Sequence, residues 1–539
     1  MLFHSLFLSS NEKIVPGKEP SLKSDHGRCY ENERFSFQFA FKNEEVELFF
    51  HFPKVTLESE IQDWLIVRNV ESVPVSLPVR KARDDDYIAY DPCFLPDLLK
   101  DDDVLNVGYG IWKSVLITYK GGAKPGRFPI TVKLEDGAGN VWISATYVLE
   151  VLEGELPPLR IHYSNWLHYD SLANYYGVEP FSKPFYEILW KFVDDAAIHG
   201  MDTLLVPPFT PALDTNVGAE RKTTQLVKVQ KKGDVYAFNF DFLLEFLKEA
   251  DRHGMKRYEF SHLFTQWGAE HAQKVMDEGG ARLFGWETDS KDSKYLSFLK
   301  QYFYELLPLL KRNGFGPDRV FFHLSDEPNM NHLERYLYLK KELAPALGEY
   351  KICDALSNIE FYEKGAVELP ACALEFVPDF LEKGKRDIMV YYCSGQADRH
   401  LSNRLLAMPL QRTRIIGIQL YRTGVQGLLH WGYNFYGSAF SKRPINPYEV
   451  NDADGSFPSG DSFIVYPAAD GHPYDSLRHE MMSDAFNDYR LLCKLEEKYG
   501  RPFVLDLLEK EGVKDNFTDY PLRDAWLIEF REKIIDLLK

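Results

Sequence analysis

Between residues 159 and 431 the sequence alternates short apolar runs with longer segments of helical periodicity. We predict strands near residues 159–164, 202–206, 256–261, 319–324, 350–355, 371–375, 387–392 and 427–431. Helical segments lie between most of them, at 182–199, 240–253, 294–312, 331–346 and 405–423. Strands that alternate with helices in this way are typical of a closed (β/α)8 barrel. We therefore predict a TIM-like barrel domain over residues 159–500.

Two further segments belong to this barrel region. A hairpin is predicted at 225–240, inserted after the second strand, with its turn at Lys232-Gly233-Asp234. A long loop at 437–473 is rich in Pro, Gly, Ser and Asp, and loops of that length are usually functional or disordered. A helix is predicted at 474–498, followed by a helical extension over residues 501–539 that packs on the barrel.

The first 155 residues have a different pattern, which predicts β structure. Runs with period-two alternation occur at 35–41, 46–52 and 114–119, and turns rich in Gly and Pro separate them. The segment Met1–Leu8 is interpreted as a first strand. Many short strands without a convincing helix indicate a β-sandwich domain over residues 1–155. The two prolines in Glu153–Pro158 mark the boundary to the barrel.

The composition of the chain limits the kinds of binding partner and the cellular compartment that we expect for the protein. The 539 residues carry a net charge of −18, which argues against binding to a nucleic acid. No run approaches the roughly 18 apolar residues of a membrane span. The six cysteines are scattered without a CxxC pair, so buried thiols in the cytoplasm are expected. The apolar start lacks a basic region and a cleavage site, and an exported protein whose signal peptide has been removed is the alternative.

The fourth predicted strand, Val320–Leu324, runs directly into Asp326, Glu327 and Pro328. Carboxylates at the carboxyl end of a barrel strand lie on the face where (β/α)8 enzymes hold their active sites. A structural alternative is that Ser325 or Asp326 caps a helix that begins at the proline, which is favoured in a first helical turn. The two roles are compatible, and we predict that Asp326 and Glu327 are catalytic.

Polar and aromatic side chains follow the other predicted strands and suit a polar substrate. The candidates for substrate binding are His168, Trp267, Asp354, Tyr391, Tyr392, Trp431, Tyr433 and Asn434. Their convergence on one face carries more weight than any single residue. The sequence has no HExxH, P-loop, GxSxG or dinucleotide motif, which argues against zinc proteolysis, nucleotide chemistry and serine hydrolysis. Acid runs such as Asp84–Asp86 are interpreted as solvated loops, and no metal or cofactor is expected.

The adjacency of the two acids constrains the reaction. Glycosidases usually place two carboxylates on opposite sides of the scissile bond, about 5–5.5 Å apart for retention or 6.5–9.5 Å for inversion. Asp326 and Glu327 leave the same strand end, and the seventh strand ends in Tyr391-Tyr392-Cys393 without a carboxylate. Glu375, on the sixth strand, is the remaining candidate for an opposing acid. Adjacent acids suit a substrate-assisted route, in which the 2-acetamido oxygen of the sugar attacks the anomeric carbon.

Several stretches match a known family. They are Ser325-Asp326-Glu327-Pro328, Tyr391-Tyr392-Cys393, 427–434, 476–480 with Asp484 and Asp488-Tyr489, and 92–99 in the first domain. Together they resemble glycoside hydrolase family 123 and the wider group that shares its catalytic domain. The last helix departs from the family pattern, because Ser483 and Ala485 stand where Arg and Gly are expected.

The resemblance implies a β-sandwich followed by a (β/α)8 barrel, and β-N-acetylgalactosaminidase activity with retention through an oxazoline intermediate. It implies that Glu327 is the general acid/base and that Asp326 orients the acetamido group. Trp431 would form the floor of the sugar site, with Tyr391 or Tyr392 near the acetamido pocket.

Three functional hypotheses follow from the sequence. The leading one is an exo-acting hydrolase that releases terminal β-linked N-acetylgalactosamine from oligosaccharides or glycolipid glycans. The second is a retaining or inverting glycosidase that acts on a sugar without an acetamido group, through Glu327 and a separate carboxylate. The third is a non-catalytic carbohydrate-binding protein. The presence of both Asp326 and Glu327 argues against the third hypothesis, whereas the altered last helix is compatible with it.

Overall fold

The computed structural model describes residues 3–15, 17–44, 53–80, 82–102, 105, 107 and 109–539. Its first nine strands are β1 (Phe3–Ser9), β2 (His26–Tyr30), β3 (Phe35–Asn43), β4 (Lys54–Glu58), β5 (Leu65–Val75), β6 (Cys93–Lys100), β7 (Lys113–Tyr119), β8 (Gly126–Glu135) and β9 (Val141–Leu152). They form one sheet in the order β1-β3-β7-β5-β6 and another in the order β2-β9-β8-β4. The strand predicted at 46–52 lies outside the described residues.

The two sheets share one hydrophobic core. Phe37 and Phe39 from β3 pack with Ile117 from β7 on one side, and with Val132 from β8 and Leu149 from β9 on the other. Successive side chains of a strand point to opposite faces, so the period-two pattern places these residues in a single layer between the sheets. The predicted β-sandwich is confirmed.

Beyond the sandwich, eight parallel strands close into a barrel in chain order. They are β10 (His162–Asn165), β11 (Thr203–Val206), β12 (Arg257–Phe260), β13 (Val320–His323), β14 (Lys351–Leu356), β15 (Leu369–Ala373), β16 (Met389–Tyr391) and β17 (Gly427–His430). Pairing of His162 with Gly427 joins the first strand to the last. The predicted TIM-like barrel is confirmed, and each predicted strand lies within a few residues of an observed one.

Helices surround the barrel and continue beyond it. They are α1 (Tyr169–Tyr176), α2 (Lys183–Ile198), α3 (Asp241–Arg252), α4 (Ser293–Arg312), α5 (Leu333–Leu347), α6 (Glu360–Glu363), α7 (Val377–Glu382), α8 (Leu410–Arg414), α9 (Ile416–Thr423), α10 (Leu477–Tyr499), α11 (Arg501–Lys510) and α12 (Trp526–Leu538). The predicted hairpin is present as strands Lys228–Lys232 and Val235–Asn239. Within the described ranges, no helix is long and apolar enough to cross a membrane.

Helix α10 lies between the barrel and the five-stranded sheet. Leu477 and Met481 of the helix pack against Leu99 of β6. Arg478 donates to both oxygens of Asp97 at 2.9 Å, and both side chains are fully buried. Loss of one partner would leave an unpaired charge in the protein interior, so this ion pair restricts how the sandwich can sit on the barrel.

Candidate active site

The carboxyl ends of the barrel strands surround a cleft of about 410 Å³. Both predicted catalytic acids, Asp326 and Glu327, line it directly after β13. The aromatic residues of its walls are Trp166, Trp267, Tyr391, Trp431, Phe440 and Phe457, and its other charged or amide side chains are Arg80, Asp214, Gln266 and Asp461. Aromatic faces with a few polar groups between them suit a ligand that has both apolar and hydroxyl-bearing surfaces.

The turn after β13 is held in a strained conformation. The N–H of Ser325 donates to Asp354 Oδ2 at 3.2 Å, and the Ser325 hydroxyl donates to the carbonyl oxygen of Thr265 at 2.6 Å. Glu327 has a φ of +43°, in the left-handed region, where a residue with a Cβ is strained by about 1–2 kcal/mol. Such strain persists where the surrounding structure enforces it, and it is concentrated at functional sites.

The structure excludes the capping role considered for Asp326. Helix α5 begins only at Leu333, after a 3₁₀ turn at Met330–His332. The side chain that accepts from a backbone N–H of this turn belongs to Asn329. The interpretation of Ser325 or Asp326 as a helix cap is therefore wrong, and the Asp326 carboxyl is left to face the cleft.

The two acids differ in their surroundings. Asp326 is buried, and burial together with the charge of Glu327 raises its pKa well above the usual value. Glu327 opens to the cleft, yet the surrounding protein limits its hydration and raises its pKa. The hydroxyl of Tyr391 donates to Glu327 Oε1 at 3.1 Å and acts in the opposite direction by favouring the charged form. Because two adjacent carboxylates repel each other, the pair binds its first proton more tightly than an isolated carboxylate would.

Asp461 is a cleft residue that the sequence analysis did not identify. It lies on the loop at 437–473, and its Oδ2 accepts the indole N–H of Trp431 at 3.2 Å. Burial raises the pKa of Asp461 to about 7, against the opposing charge of Arg404. Its Oδ1 has no hydrogen-bond partner among the described residues. The length and polar composition of its loop were the signal in the sequence.

Three of the predicted binding residues line the cleft: Trp267, Tyr391 and Trp431. Tyr392 and Tyr433 do not. The Tyr392 hydroxyl lies 3.6 Å from the sulfur of Met482, and the Tyr433 hydroxyl donates to Asp195 at 2.8 Å, both in the helix layer. Neighbours in an extended chain point to opposite sides, so Tyr391 faces the barrel interior and Tyr392 faces the helices.

His168, Asn434 and Asp354 lie behind the cleft walls. The backbone N–H of His168 donates to Asn434 Oδ1 at 2.7 Å, and His168 Nε2 donates to the carbonyl oxygen of Trp431 at 2.7 Å. Burial, and then the charge of Arg221, lowers the pKa of His168 to about 3, so its ring is neutral. Asp354 is fully buried beneath the turn that follows β13. These side chains support the walls and do not line the cleft.

The alternative acid, Glu375, is engaged elsewhere. Both of its carboxylate oxygens accept from the amide nitrogen of Gln396, at 2.8 and 2.7 Å, and it does not line the cleft.

Asp214 accepts the N–H of Phe440 at 2.9 Å, and burial raises the pKa of Asp214 to about 6. Asp214 and Asp461 are thus the other carboxylates of the cleft, as far as the structure describes its lining.

Among the residues that the structure describes, three clusters of histidine and carboxylate side chains have ligand atoms close enough to share a metal ion. They are Asp195–His199–Asp475–His479, His262–His323–Asp354 and Asp84–Asp85–His400. In the first, the rings of His199 and His479 stack 3.7 Å apart at 21°, so their in-plane lone pairs cannot converge on one ion. In the second, both ring nitrogens of His323 face carboxylates. In the third, Asp84 pairs with Arg412 at 2.9 Å. In each cluster at least one side chain is already engaged by another group of the protein.

A family match covers the barrel and its cleft. The family described as "Glycoside hydrolase 123, catalytic domain" matches residues 166–495, which include both acids and all the cleft residues beyond the sandwich. The chain belongs to glycoside hydrolase family 123. It is therefore a glycosidase, as the resemblance of its motifs implied.

A solved structure shares the fold of this hydrolase over the whole length of the chain. A family 123 glycoside hydrolase from Clostridium perfringens, studied for glycolipid glycan hydrolysis, aligns over 100% of this chain and 98% of its own, with a TM-score of 0.73 and 14% identity. A β-D-glucuronidase from Dictyoglomus thermophilum aligns over 90% of this chain and 97% of its own, with a TM-score of 0.33 and 10% identity. The first likeness supports the fold of sandwich and barrel together, and the second adds nothing to it. No curated protein matches the chain.

The departures from the family pattern in α10 lie away from the cleft. Neither Ser483 nor Ala485 is a cleft residue. A Cβ at Gly417 of α9 would lie 1.8 Å from the carbonyl oxygen of Ala485, so the two helices approach each other through their backbones. Ser483 is also buried. These positions therefore affect the packing of α10 and leave the acid pair untouched.

The hydrogen bond from Tyr391 to Glu327 predicts a change in the pH profile. Tyr391→Phe removes a donor that favours the ionised carboxylate, so the pKa of Glu327 rises further and the alkaline limb of kcat moves to higher pH. We expect kcat to fall about tenfold at the pH optimum. This loss corresponds to the low end of the ~1.5–3 kcal/mol that a hydrogen bond to a charged group contributes. The matched control is Tyr392→Phe, whose hydroxyl lies outside the cleft. Equal shifts in both variants would show that the Tyr391 hydroxyl does not act on the pKa of Glu327.

Proposed function

We propose that this family 123 hydrolase is an exo-acting β-N-acetylgalactosaminidase that works by substrate-assisted catalysis with retention of configuration. The observation that carries the proposal is the adjacency of Asp326 and Glu327 on one strained turn. Two acids on the same side of a sugar cannot serve as proton donor and opposing nucleophile. The nucleophile is therefore assigned to the substrate's own 2-acetamido oxygen.

The reaction has two steps that use the acids differently. First, the acetamido oxygen bonds to the anomeric carbon while the bond from that carbon to the glycosidic oxygen breaks, and Glu327 gives its proton to the departing oxygen. Asp326 accepts the acetamido N–H and stabilises the positive charge of the oxazolinium. Glu327 then takes a proton from a water that attacks the anomeric carbon, the bond to the acetamido oxygen breaks, and the β-configuration is restored.

The electrostatics of the pair support this division of roles. One proton is shared between two carboxyls whose pKa values are both raised. A substrate N–H that donates to Asp326 favours the charged form of that residue, which leaves the proton on Glu327, the residue that opens to the cleft. The acid is then protonated and accessible at the start of the reaction.

The aromatic walls support binding of a pyranose ring. Trp431 is assigned as the floor beneath the apolar face of the sugar, with its indole oriented by Asp461. Asp461 Oδ1 is itself buried, so this carboxylate acts on the sugar through the indole that it orients. Tyr391 lies beside the acid pair, and Trp267 stands at the exposed edge of the cleft, with 41% of its surface accessible. These residues present both the stacking surface and the polar contacts that a single sugar requires.

The substrate is assigned as the terminal sugar of an oligosaccharide or a glycolipid glycan. A cleft of about 410 Å³ lies near the lower end of the ~300–1,000 Å³ of ligand pockets, which suits a chain end better than the middle of a polymer. The similarity to the Clostridium perfringens hydrolase supports a glycan substrate. No cofactor, metal or nucleic acid has a role in the proposal. The unpaired state of all six cysteines supports a reducing compartment such as the cytoplasm.

The proposal is tested with a panel of chromogenic glycosides. β-N-acetylgalactosaminide, β-N-acetylglucosaminide, β-galactoside and β-glucoside are compared with and without a thiazoline inhibitor that mimics the oxazoline. We expect the fastest turnover of the N-acetylgalactosaminide, inhibition by the thiazoline, and release of the β-anomer as first product, seen by NMR.

The other outcomes select the alternatives. Cleavage of sugars without an acetamido group, insensitive to the thiazoline, would assign the reaction to Glu327 with Asp214 or Asp461 as a second carboxylate. Sugar binding in calorimetry without turnover of any glycoside would favour a binding protein. Retention is the decisive readout between a substrate-assisted reaction and an inverting one.

A further inference from the structure

A buried row of ionisable residues crosses the barrel interior beneath the catalytic turn. It leads from Glu259 on β12 through His323 on β13 to Asp354 on β14, and all three side chains are completely buried. The hydroxyl of Ser164 donates to Glu259 Oε2 at 2.5 Å, and the indole N–H of Trp166 donates to Glu259 Oε1 at 2.8 Å. The Glu259 carboxylate therefore has two neutral donors and one histidine as its partners.

The ring of His323 lies between two carboxylates. Its Nε2 hydrogen-bonds to Glu259 Oε1, and its Nδ1 lies 3.4 Å from Asp354 Oδ1. An ionised carboxylate only accepts hydrogen bonds, so both ring nitrogens must carry a proton to satisfy both partners. Burial lowers the pKa of His323, but the charge of Glu259 and the contact with Asp354 outweigh it and raise the pKa well above the usual value. The geometry thus makes His323 an imidazolium.

The same row is connected to the catalytic turn. The second oxygen of Asp354 accepts the N–H of Ser325, the residue before Asp326. Burial and then the charges of Glu327, Asp354 and Glu259 raise the pKa of Asp326, while His323 is the group that lowers it. In the part of the chain that the structure describes, no lysine or arginine forms an ion pair with these barrel-interior carboxylates.

We propose that His323 is a positioning residue of the hydrolytic reaction: a buried counter-ion, held between Glu259 and Asp354, that stabilises the negative charge of Asp326 when that residue acts on the substrate. This inference rests on the proposed role of Asp326 in the substrate-assisted route. Without a cation, this end of the barrel would hold carboxyl groups alone, and the buried Asp326 would retain the proton that Glu327 needs.

A second histidine provides an internal control. The ring of His262 stacks on that of His323 with centroids 4.5 Å apart. It is equally enclosed, but neither of its ring nitrogens has a hydrogen-bond partner among the described residues. Burial, and then the charge of His323, lowers the pKa of His262 well below the usual value. Two adjacent rings therefore differ in charge because, among the described residues, only His323 forms hydrogen bonds to carboxylates.

The kinetic test compares His323→Gln with His262→Gln. The substrate is whichever chromogenic glycoside the wild-type enzyme cleaves fastest, and the readout is the pH dependence of kcat. We expect His323→Gln to move the acid limb to higher pH by about one unit, the low end of the effect of a neighbouring opposite charge, because Asp326 then ionises less readily. His262→Gln removes a similar buried ring without a charge and should leave the acid limb unchanged. Identical acid limbs in both variants, or a shift to lower pH, would overturn the proposal.

A spectroscopic test does not depend on either glutamine variant folding. In wild-type enzyme labelled with ¹⁵N at histidine, His323 should show two protonated ring nitrogens well above neutral pH, with signals assigned through the conservative Glu259→Asp variant. A neutral His323 ring at neutral pH would overturn the proposal. The two hypotheses remain separable: if the wild type cleaves only sugars without an acetamido group, the proposed function fails, while the charge on His323 and the acid limb are still measured.

Discussion

Replacement of Glu327 by glutamine is expected to lower kcat by about 10³- to 10⁴-fold on an N-acetylgalactosaminide with a sugar or alkyl aglycone, the upper part of the range for general acid catalysis. The amide has the same shape but cannot give a proton to the departing oxygen. The effect depends on the aglycone. A dinitrophenyl leaving group departs without protonation, so its release in the first step should be nearly as fast in Glu327→Gln as in the wild type.

The control for this variant is stability. Glu327 opens to the cleft and lies in a strained turn held by other residues, so the melting temperature of Glu327→Gln should match that of the wild type. Single-turnover kinetics with the two aglycones separate the acid step from the later hydrolysis. Equal losses for both aglycones in the first step would contradict the role of Glu327 as general acid.

Replacement of Asp326 by asparagine is expected to raise the activation barrier by about 3 kcal/mol, by analogy with the loss of one preorganised group that stabilises transition-state charge. Asparagine preserves the size of the side chain but removes the negative charge beside the oxazolinium. Because that charge develops whichever aglycone leaves, the loss should be similar for dinitrophenyl and alkyl glycosides. This independence distinguishes Asp326→Asn from Glu327→Gln.

Thiazoline binding provides a second readout for Asp326. The inhibitor resembles the intermediate, so its Ki should rise together with the loss of kcat in Asp326→Asn. Asp214→Asn is the matched control, since it also removes a carboxylate from the cleft but from the side where Phe440 lies. Its effect on kcat should be small. An unchanged kcat in Asp326→Asn, or equal losses in the two variants, would contradict the assignment.

Most of the fold could be predicted because the sequence patterns that specify it involve residues close together in the chain. A buried parallel strand such as Val320–His323 is an uninterrupted apolar run, and a sandwich strand such as Phe35–Asn43 alternates with period two. Both patterns can be recognised from neighbours in the chain. The helix predicted at 331–346 begins at Leu333, and the alternative start at Pro328 does not occur, because Asn329 forms the cap and the residues before it are used in the strained turn.

The cleft was only partly predictable, because its lining depends on side-chain direction and on distant segments. Tyr391 and Tyr392 are equivalent in the sequence, and only the inward direction of Tyr391 distinguishes them in the structure. Trp166 was not predicted, although it lines the cleft and holds Glu259. Asp461 reaches Trp431 because the long loop folds back over the barrel end.

The sequence by itself determined the β/α alternation, the order of sandwich and barrel, and the adjacency of Asp326 and Glu327, because each is carried by neighbouring residues. Only the tertiary structure decided which aromatic rings face the cleft and that Asp461 belongs to it. It also decided the charge of His323, which depends on carboxylates from β12 and β14 that are 64 and 31 residues away in the chain. Burial and long-range Coulomb contacts set the protonation of such groups, and neither is encoded in a local pattern.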